Sequence, residues 1–103
     1  TIENIKWPDS LQTIKFGDDF NQPIDNVRWP ANLQTIEFGL YFNKKIEFLP
    51  EGLKTLKIYV DLSKKNNVRN SFGCLPKSLE ELQIDKEYSD LIPEHLRDKV
   101  RER

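Results

Sequence analysis

His95 is the only histidine in this chain of 103 residues, and Cys74 is the only cysteine. An imidazole between Glu94 and Asp98 has the residue types of a general base or a metal ligand. The spacing supports neither role. No second histidine or cysteine stands at ligand distance, and a structural zinc takes four ligands. Cys74 sits beside Leu75, where a small buried apolar residue is expected and not a reactive thiol. Asp18-Asp19 could pair as acid and base or hold a cation. One repeat later their places are taken by Leu40-Tyr41, so a solvated turn is the better account. Ser10, Ser63, Ser71, Ser78 and Ser89 have no Gly-x-Ser-x-Gly setting, and the glycines form no phosphate cradle. No enzyme, cofactor, metal or small-molecule substrate is therefore expected.

Charge adds little attraction of its own. The formal net charge is −1, which offers no global pull on nucleic acid or anionic lipid. Lys44-Lys45 and Lys64-Lys65 fall in one column of adjacent repeats with Arg69 nearby, but no aromatics interleave them as single-stranded nucleic acid would need. Solubilising lysines are the expectation. No apolar run approaches the roughly 20 residues of a membrane span. A lone cysteine and the lack of any Asn-x-Ser/Thr acceptor fit an intracellular, reducing compartment such as cytoplasm.

The elements that carry these residues repeat. Residues 7–28 read WPDSLQTIKFGDDFNQPIDNVR and residues 29–48 read WPANLQTIEFGLYFNKKIEF. Degenerate units follow over 49–74 and 75–92. Pro8, Pro30, Pro50 and Pro76 mark them. Each unit holds a triplet: Leu11/Ile14/Phe16, Leu33/Ile36/Phe38, Leu53/Leu56/Ile58 and Leu79/Leu82/Ile84. The last two members are two apart, the strand period, so both enter a core. Between and before them Thr13 and Lys15, Thr35 and Glu37, Thr55 and Lys57, and Glu81 and Gln83 face outward. Lys15, Glu37 and Lys57 then form an alternating-charge ladder across neighbouring strands, each opposed pair worth ~0.2–1 kcal/mol.

The rest of each unit is punctuation. Proline fixes φ for the turn into the strand. Gly17 and Gly39 stand where the chain leaves it, where positive φ is expected. Phe20-Asn21 and Phe42-Asn43, matched loosely by Leu62-Ser63 and Tyr88-Ser89, supply an aromatic plug and a polar side chain for turn backbone. Ile24, Ile46 and Ile92 close the unit.

The expected fold is an α/β solenoid, a leucine-rich-repeat-like stack with a four-stranded parallel sheet and turn or 3₁₀ connections. Residues 1–92 form the repeats. Residues 93–103 are expected as a short capping helix, with Leu96 and Val100 on one face at i, i+4. The opening TIENIK (1–6) matches PIDNVR (23–28), the tail of a unit, and the chain has no methionine. Earlier repeats before Thr1 are expected, or another chain over Ile2, Ile5 and Trp7 and the strand edge beside them.

The pattern Trp/Leu-Pro-x-x-Leu-x-x-Ile/Leu-x-Phe-Gly-x-x-Phe-Asn-x-x-Ile, with FNQPI at 20–24, resembles the FNIP repeat, a relative of the leucine-rich repeat. The resemblance covers residues 1 to about 92. It is most specific in the first two units and weakest in the third, which lacks Phe-Asn and Gly and carries an insertion between Lys65 and Cys74. Proteins of this kind belong mainly to social amoebae and to giant viruses of amoebae. In several the repeats follow an F-box, which implies a substrate-receptor role in ubiquitin ligation.

Two function classes follow. The first is a non-catalytic protein-binding module, the recognition part of an F-box-type adaptor on the resemblance. Its expected surface is Thr13, Lys15, Thr35, Glu37, Thr55 and Lys57 on the strands. Leu40, Tyr41, Tyr59 and Val60 add an apolar corner, because they break polar positions of the repeat. The second class is a structural or self-assembling component, a virion or fibre protein stacking through its N-terminal edge.

Overall fold

The computed structural model describes residues 4–63 and 67–103; Ile2 and the Lys64-Lys65 pair lie outside them. Each unit enters its strand through the same turn. The amide of the triplet's first leucine donates to a proline carbonyl: Leu11 to Pro8 at 3.1 Å, Leu33 to Pro30 at 3.2 Å, Leu53 to Pro50 at 3.1 Å and Leu79 to Pro76 at 3.2 Å. A ring that holds φ near −65° prearranges this bend, and each copy aims the next residues into extended backbone.

The strands are β1 (Thr13–Lys15), β2 (Thr35–Phe38), β3 (Thr55–Ile58), β4 (Glu81–Ile84) and β5 (Val100–Glu102). They form one parallel sheet in chain order, β1-β2-β3-β4-β5. Ile14, Ile36, Leu56 and Leu82 align across it, and Phe38, Ile58 and Ile84 form a second buried column. Period-two alternation put both columns on one face, so units of about 20–26 residues share one core. This sheet is compatible with a repeat stack.

Behind the first two strands Phe16, Phe20, Phe38 and Phe42 pack as a block of parallel rings. Centroids are 4.3 Å apart for Phe16–Phe20, 4.2 Å for Phe38–Phe42, 5.4 Å for Phe16–Phe38 and 5.8 Å for Phe20–Phe42. The two Phe-x-x-x-Phe units thus stack ring on ring both within and between layers. In the third unit the aliphatic residues Ile58, Leu62 and Val68 are buried, together with the single ring of Phe72.

Beside the plug runs an asparagine ladder. Asn21 Oδ1 accepts from the Asn43 amide at 2.8 Å, and Asn43 Oδ1 accepts from the Asn67 amide at 2.9 Å. The Asn67 side chain returns a bond to the Asn43 carbonyl at 3.0 Å. Asparagine does satisfy turn backbone, but across units and not within one. The third rung is Asn67, not Ser63, because the insertion forms a short helix α1 (Asn67–Asn70) that carries it there. Ser71 follows, buried, and is satisfied by donating to the Asn67 carbonyl at 2.6 Å and accepting from the Ile46 amide at 3.4 Å. Asn43→Ala removes the acceptor in the middle rung. Its exposure limits the cost to about 1 kcal/mol, which a denaturant melt should read as a lower midpoint at unchanged slope.

Two expectations are corrected. Among the described residues no glycine has positive φ. Gly39 is required by close approach instead: a Cβ there would lie 2.7 Å from Asp18 Cα and 2.9 Å from its amide nitrogen. The expected capping helix over 93–103 is a 3₁₀ segment, Glu94–Lys99, followed by β5. The sheet therefore has five strands, not four. Leu96 reaches the core from the 3₁₀ segment, while Val100 pairs beside Leu82. Pairing wins because it satisfies the open edge of β4. The Arg103 amide donates to the Ile84 carbonyl at 2.8 Å, and Lys99 Nζ donates to the Leu79 carbonyl at 2.8 Å.

Candidate functional site: the outward face of the sheet

In-register parallel pairing converts the outward residues into rows. Thr13, Thr35, Thr55 and Glu81 form the first, and Lys15, Glu37, Lys57, Gln83 and Arg101 the second. Just beyond the strand exits lie Gly17, Gly39, Tyr59, Asp85 and Arg103, a third set along the same edge. The six strand residues picked out from sequence are all brought together here.

The third set has no side chain in its first two members and bulky ones after. The result is a groove of about 490 Å³, lined by Gly17 and Gly39, Lys15, Glu37, Asp18 and Leu40, and closed off by Tyr59, Asp85 and Arg103. The Arg103 guanidinium lies 3.6 Å from the Tyr59 ring centroid, a cation–π geometry, and its Nε donates to Asp85 Oδ1 at 2.8 Å. The Tyr59 hydroxyl donates to Gln83 Oε1 at 2.8 Å.

The apolar corner expected at Leu40, Tyr41, Tyr59 and Val60 does not form as one patch. Val60 is 1% exposed and belongs to the core. With the buried Leu62 it packs into the core cluster behind the sheet. Tyr59 is half-buried beneath Arg103. Leu40 and Tyr41 are exposed, but only Leu40 reaches the groove. Gln83 faces outward as its strand position implies; Asp85 and Arg103 were missed from sequence. Asp85 was recoverable by continuing the strand period past Ile84; Arg103 was not, since its placement depends on β5.

The remaining candidates lie elsewhere. His95 is exposed on the 3₁₀ segment. Asp18 is an exposed turn residue whose carboxylate accepts from the Leu40 amide at 3.2 Å and whose carbonyl accepts from Tyr41 at 3.0 Å. Cys74 is exposed, contrary to the expected buried position. The short 3₁₀ turn Phe72–Cys74 spends its inward position on Phe72 and leaves Gly73 and Cys74 outside.

Two tyrosines carry a pH signature. Burial raises the Tyr59 hydroxyl above its ordinary 10.0; Arg103 pulls it back, while Glu37, Asp85 and Glu81 push it up. Burial also leads the rise at Tyr88, followed by its hydrogen bond to Asp61. The unfolded chain gives up these protons first, so their contribution to stability is whole below pH 10.0 and is lost as pH climbs through the folded values. Phenolate absorbance should show both ionising above pH 10.0, and Tyr59→Phe and Tyr88→Phe should each delete one late step. Loss of an early step instead would contradict the packing described.

A family model for the FNIP repeat matches residues 5–41, 29–61 and 42–87. The chain belongs to the FNIP-repeat family. No curated protein matches it. The FNIP matches run through the insertion that carries α1 and stop short of the 3₁₀ segment and β5. The FNIP repeats therefore supply the first four strands of the outward face, while Arg101 and Arg103 are brought in from beyond the matched region. Among the described residues no helix is long and apolar enough to cross a membrane.

Proposed function

We propose that this chain is a non-catalytic protein-binding solenoid of leucine-rich-repeat type, and that it engages its partner with the outward face of the sheet. The observation that carries the proposal is the register. Five strands present side chains in aligned rows on a base whose columns are fully packed. A preorganised surface of this kind loses little freedom on binding, and stacked repeats commonly use such surfaces. Within this function, the family resemblance supports the narrower role of substrate recognition in an F-box-type adaptor, in an intracellular setting.

The test is site-directed photo-crosslinking to a captured partner. A benzophenone side chain at Thr55 should crosslink the partner, and one at Asn26, in a turn, should not. Equal yields at both positions would remove the face from consideration. Thr35→Arg with Thr55→Arg should abolish capture while leaving the circular dichroism spectrum intact.

The assembly alternative has one supporting feature at the β1 side. The Asn43 and Asn67 amides each meet an asparagine of the previous layer, and among the described residues the Asn21 amide does not. The β5 side counts against open-ended growth, since the residue in register with Ile84 there is Glu102, an exposed charge where the inner strands carry Phe or Ile. Charged side chains on an edge strand oppose further pairing. Sedimentation at high protein concentration separates the two: a monomer disfavours assembly, and a defined oligomer favours it.

A further inference from the structure

Three ion pairs lie on or beside the outward face, and they share an orientation. In Lys15–Glu37 the cation's side chain is 73% exposed and the anion's 17%. In Arg101–Glu81 the values are 59% and 34%, and in Arg103–Asp85 they are 58% and 25%. Each carboxylate lies low against the sheet and each basic head stands above it. The chain as a whole carries net charge −1, yet this face shows its positive partners to solvent. Lys57, half-buried in the same row as Lys15, adds to that field.

The exposure pattern has a physical cause. Lysine and arginine lay long apolar stems along a surface and keep their charge in water, whereas the shorter carboxylates of Glu37, Glu81 and Asp85 stay near the backbone. Over these three pairs an incoming chain meets guanidinium and ammonium groups first; the exposed Asp18 in the groove lining has its carboxylate engaged by the Leu40 amide. Between Lys15 and Arg103 the groove offers Leu40 as its exposed apolar wall.

We propose that this face receives an acidic segment of a partner protein, its carboxylates meeting Lys15, Arg101 and Arg103 and one aliphatic side chain entering the groove against Leu40. The inference rests on the protein-binding function above and narrows it to a partner chemistry. Arginine suits the task because its planar fork can hold a second carboxylate while it keeps the first. Arg103 retains donors beyond the Nε committed to Asp85.

The experiment uses the full chain and a fluorescein-labelled peptide of sequence Glu-Asp-Leu-Glu-Asp-Glu, read by anisotropy. A peptide with serine at each acidic position is the neutral control, and a single-stranded oligonucleotide of similar charge is the competing polyanion. The acidic peptide should bind more tightly than both, and its affinity should fall as salt rises. Lys15→Ser with Arg101→Ser should weaken it about fivefold, as exposed ion pairs of modest strength predict. Lys45→Ser with Lys77→Ser, both exposed and outside the strands, should leave it unchanged. Leu40→Ser should weaken the leucine peptide and not one with glycine in its place. All replaced cations are solvent-exposed or on turns, so the variants should fold, which circular dichroism checks. Equal affinity for the neutral peptide, equal affinity in the Lys15/Arg101 variant, or tighter binding of the oligonucleotide would each overturn the inference. Crosslinking from Thr55 without acidic-peptide binding refutes the partner chemistry alone; loss of both refutes the binding face as well.

Discussion

Phe38→Ala should lower the melting midpoint by about 15–30 °C or abolish the cooperative transition. Phe38 is fully buried and touches two rings of the aromatic block, Phe16 at 5.4 Å and Phe42 at 4.2 Å. Truncating a buried Phe costs about 3–5 kcal/mol through lost transfer energy and the cavity left behind. In a domain of this size each kcal/mol moves the midpoint by about 4–8 °C. Two features stop the site from collapsing around the void. The strand above and the strand below are fixed by ladder hydrogen bonds, and Phe42 is tied through Asn43 to the next layer. Phe38→Ile should recover most of the loss, because Ile58 and Ile84 already occupy the same column in the next two units. A thermal melt followed by circular dichroism measures both variants. A drop of only a few degrees in Phe38→Ala would mean that the rings do not share a load between layers.

That column also shows what the sequence made legible. Alternation at Ile14/Phe16, Ile36/Phe38, Leu56/Ile58 and Leu82/Ile84 has a single solution as strands with one buried face, and the structure follows it residue by residue. Pro-x-x-Leu was equally readable, because ring geometry acts locally. The failures come where a neighbour decides. Leu96 and Val100 fit a helical face by spacing, yet the unsatisfied edge of β4 draws Val100 into a strand. Val60 replaces a polar position and so looks like a surface anchor, yet its side chain is buried in the core cluster. Leu62 is buried as its match to the Phe-Asn pair implies, but the ladder rung expected at Ser63 is Asn67, which the insertion supplies together with the buried Val68.

The outward face divides the same way. Thr13, Lys15, Thr35, Glu37, Thr55 and Lys57 could be named before any coordinates, since outward alternation needs only the strand assignment. Its polarity could not. Sequence gives Lys15, Glu37 and Lys57 as an alternating ladder and says nothing of the depth at which each charge sits. The depth at which each charge sits makes the solvent-facing layer basic, and Arg101 and Arg103 join it only through β5.

Gly39 and Gly17 occupy equivalent places in the repeat and should nonetheless respond oppositely to substitution. A Cβ at Gly39 would sit 2.6 Å from Asp18 Oδ1 and 2.7 Å from Asp18 Cα, closer than side-chain atoms pack. The side chain could swing away, but the backbone could move only if the first two layers separated at their exit. That would strain the Tyr41-to-Asp18 bond at 3.0 Å, the Leu40 amide bond to the Asp18 carboxylate at 3.2 Å, and the Phe16-to-Glu37 bond at 2.9 Å. Overpacking of this kind costs about 1–3 kcal/mol. Gly39→Ala should therefore destabilise clearly, and Gly39→Val more so. At Gly17 an added Cβ meets nothing within 4 Å. Neither glycine has positive φ, so backbone strain cannot oppose the change. Gly17→Ala instead removes freedom from the unfolded chain and should stabilise by about 0.4–1 kcal/mol. Urea melts of the two alanine variants decide the point. Equal destabilisation would mean that both glycines serve a conformational need, and that the tight contact between Gly39 and Asp18 does not set the spacing of the first two layers.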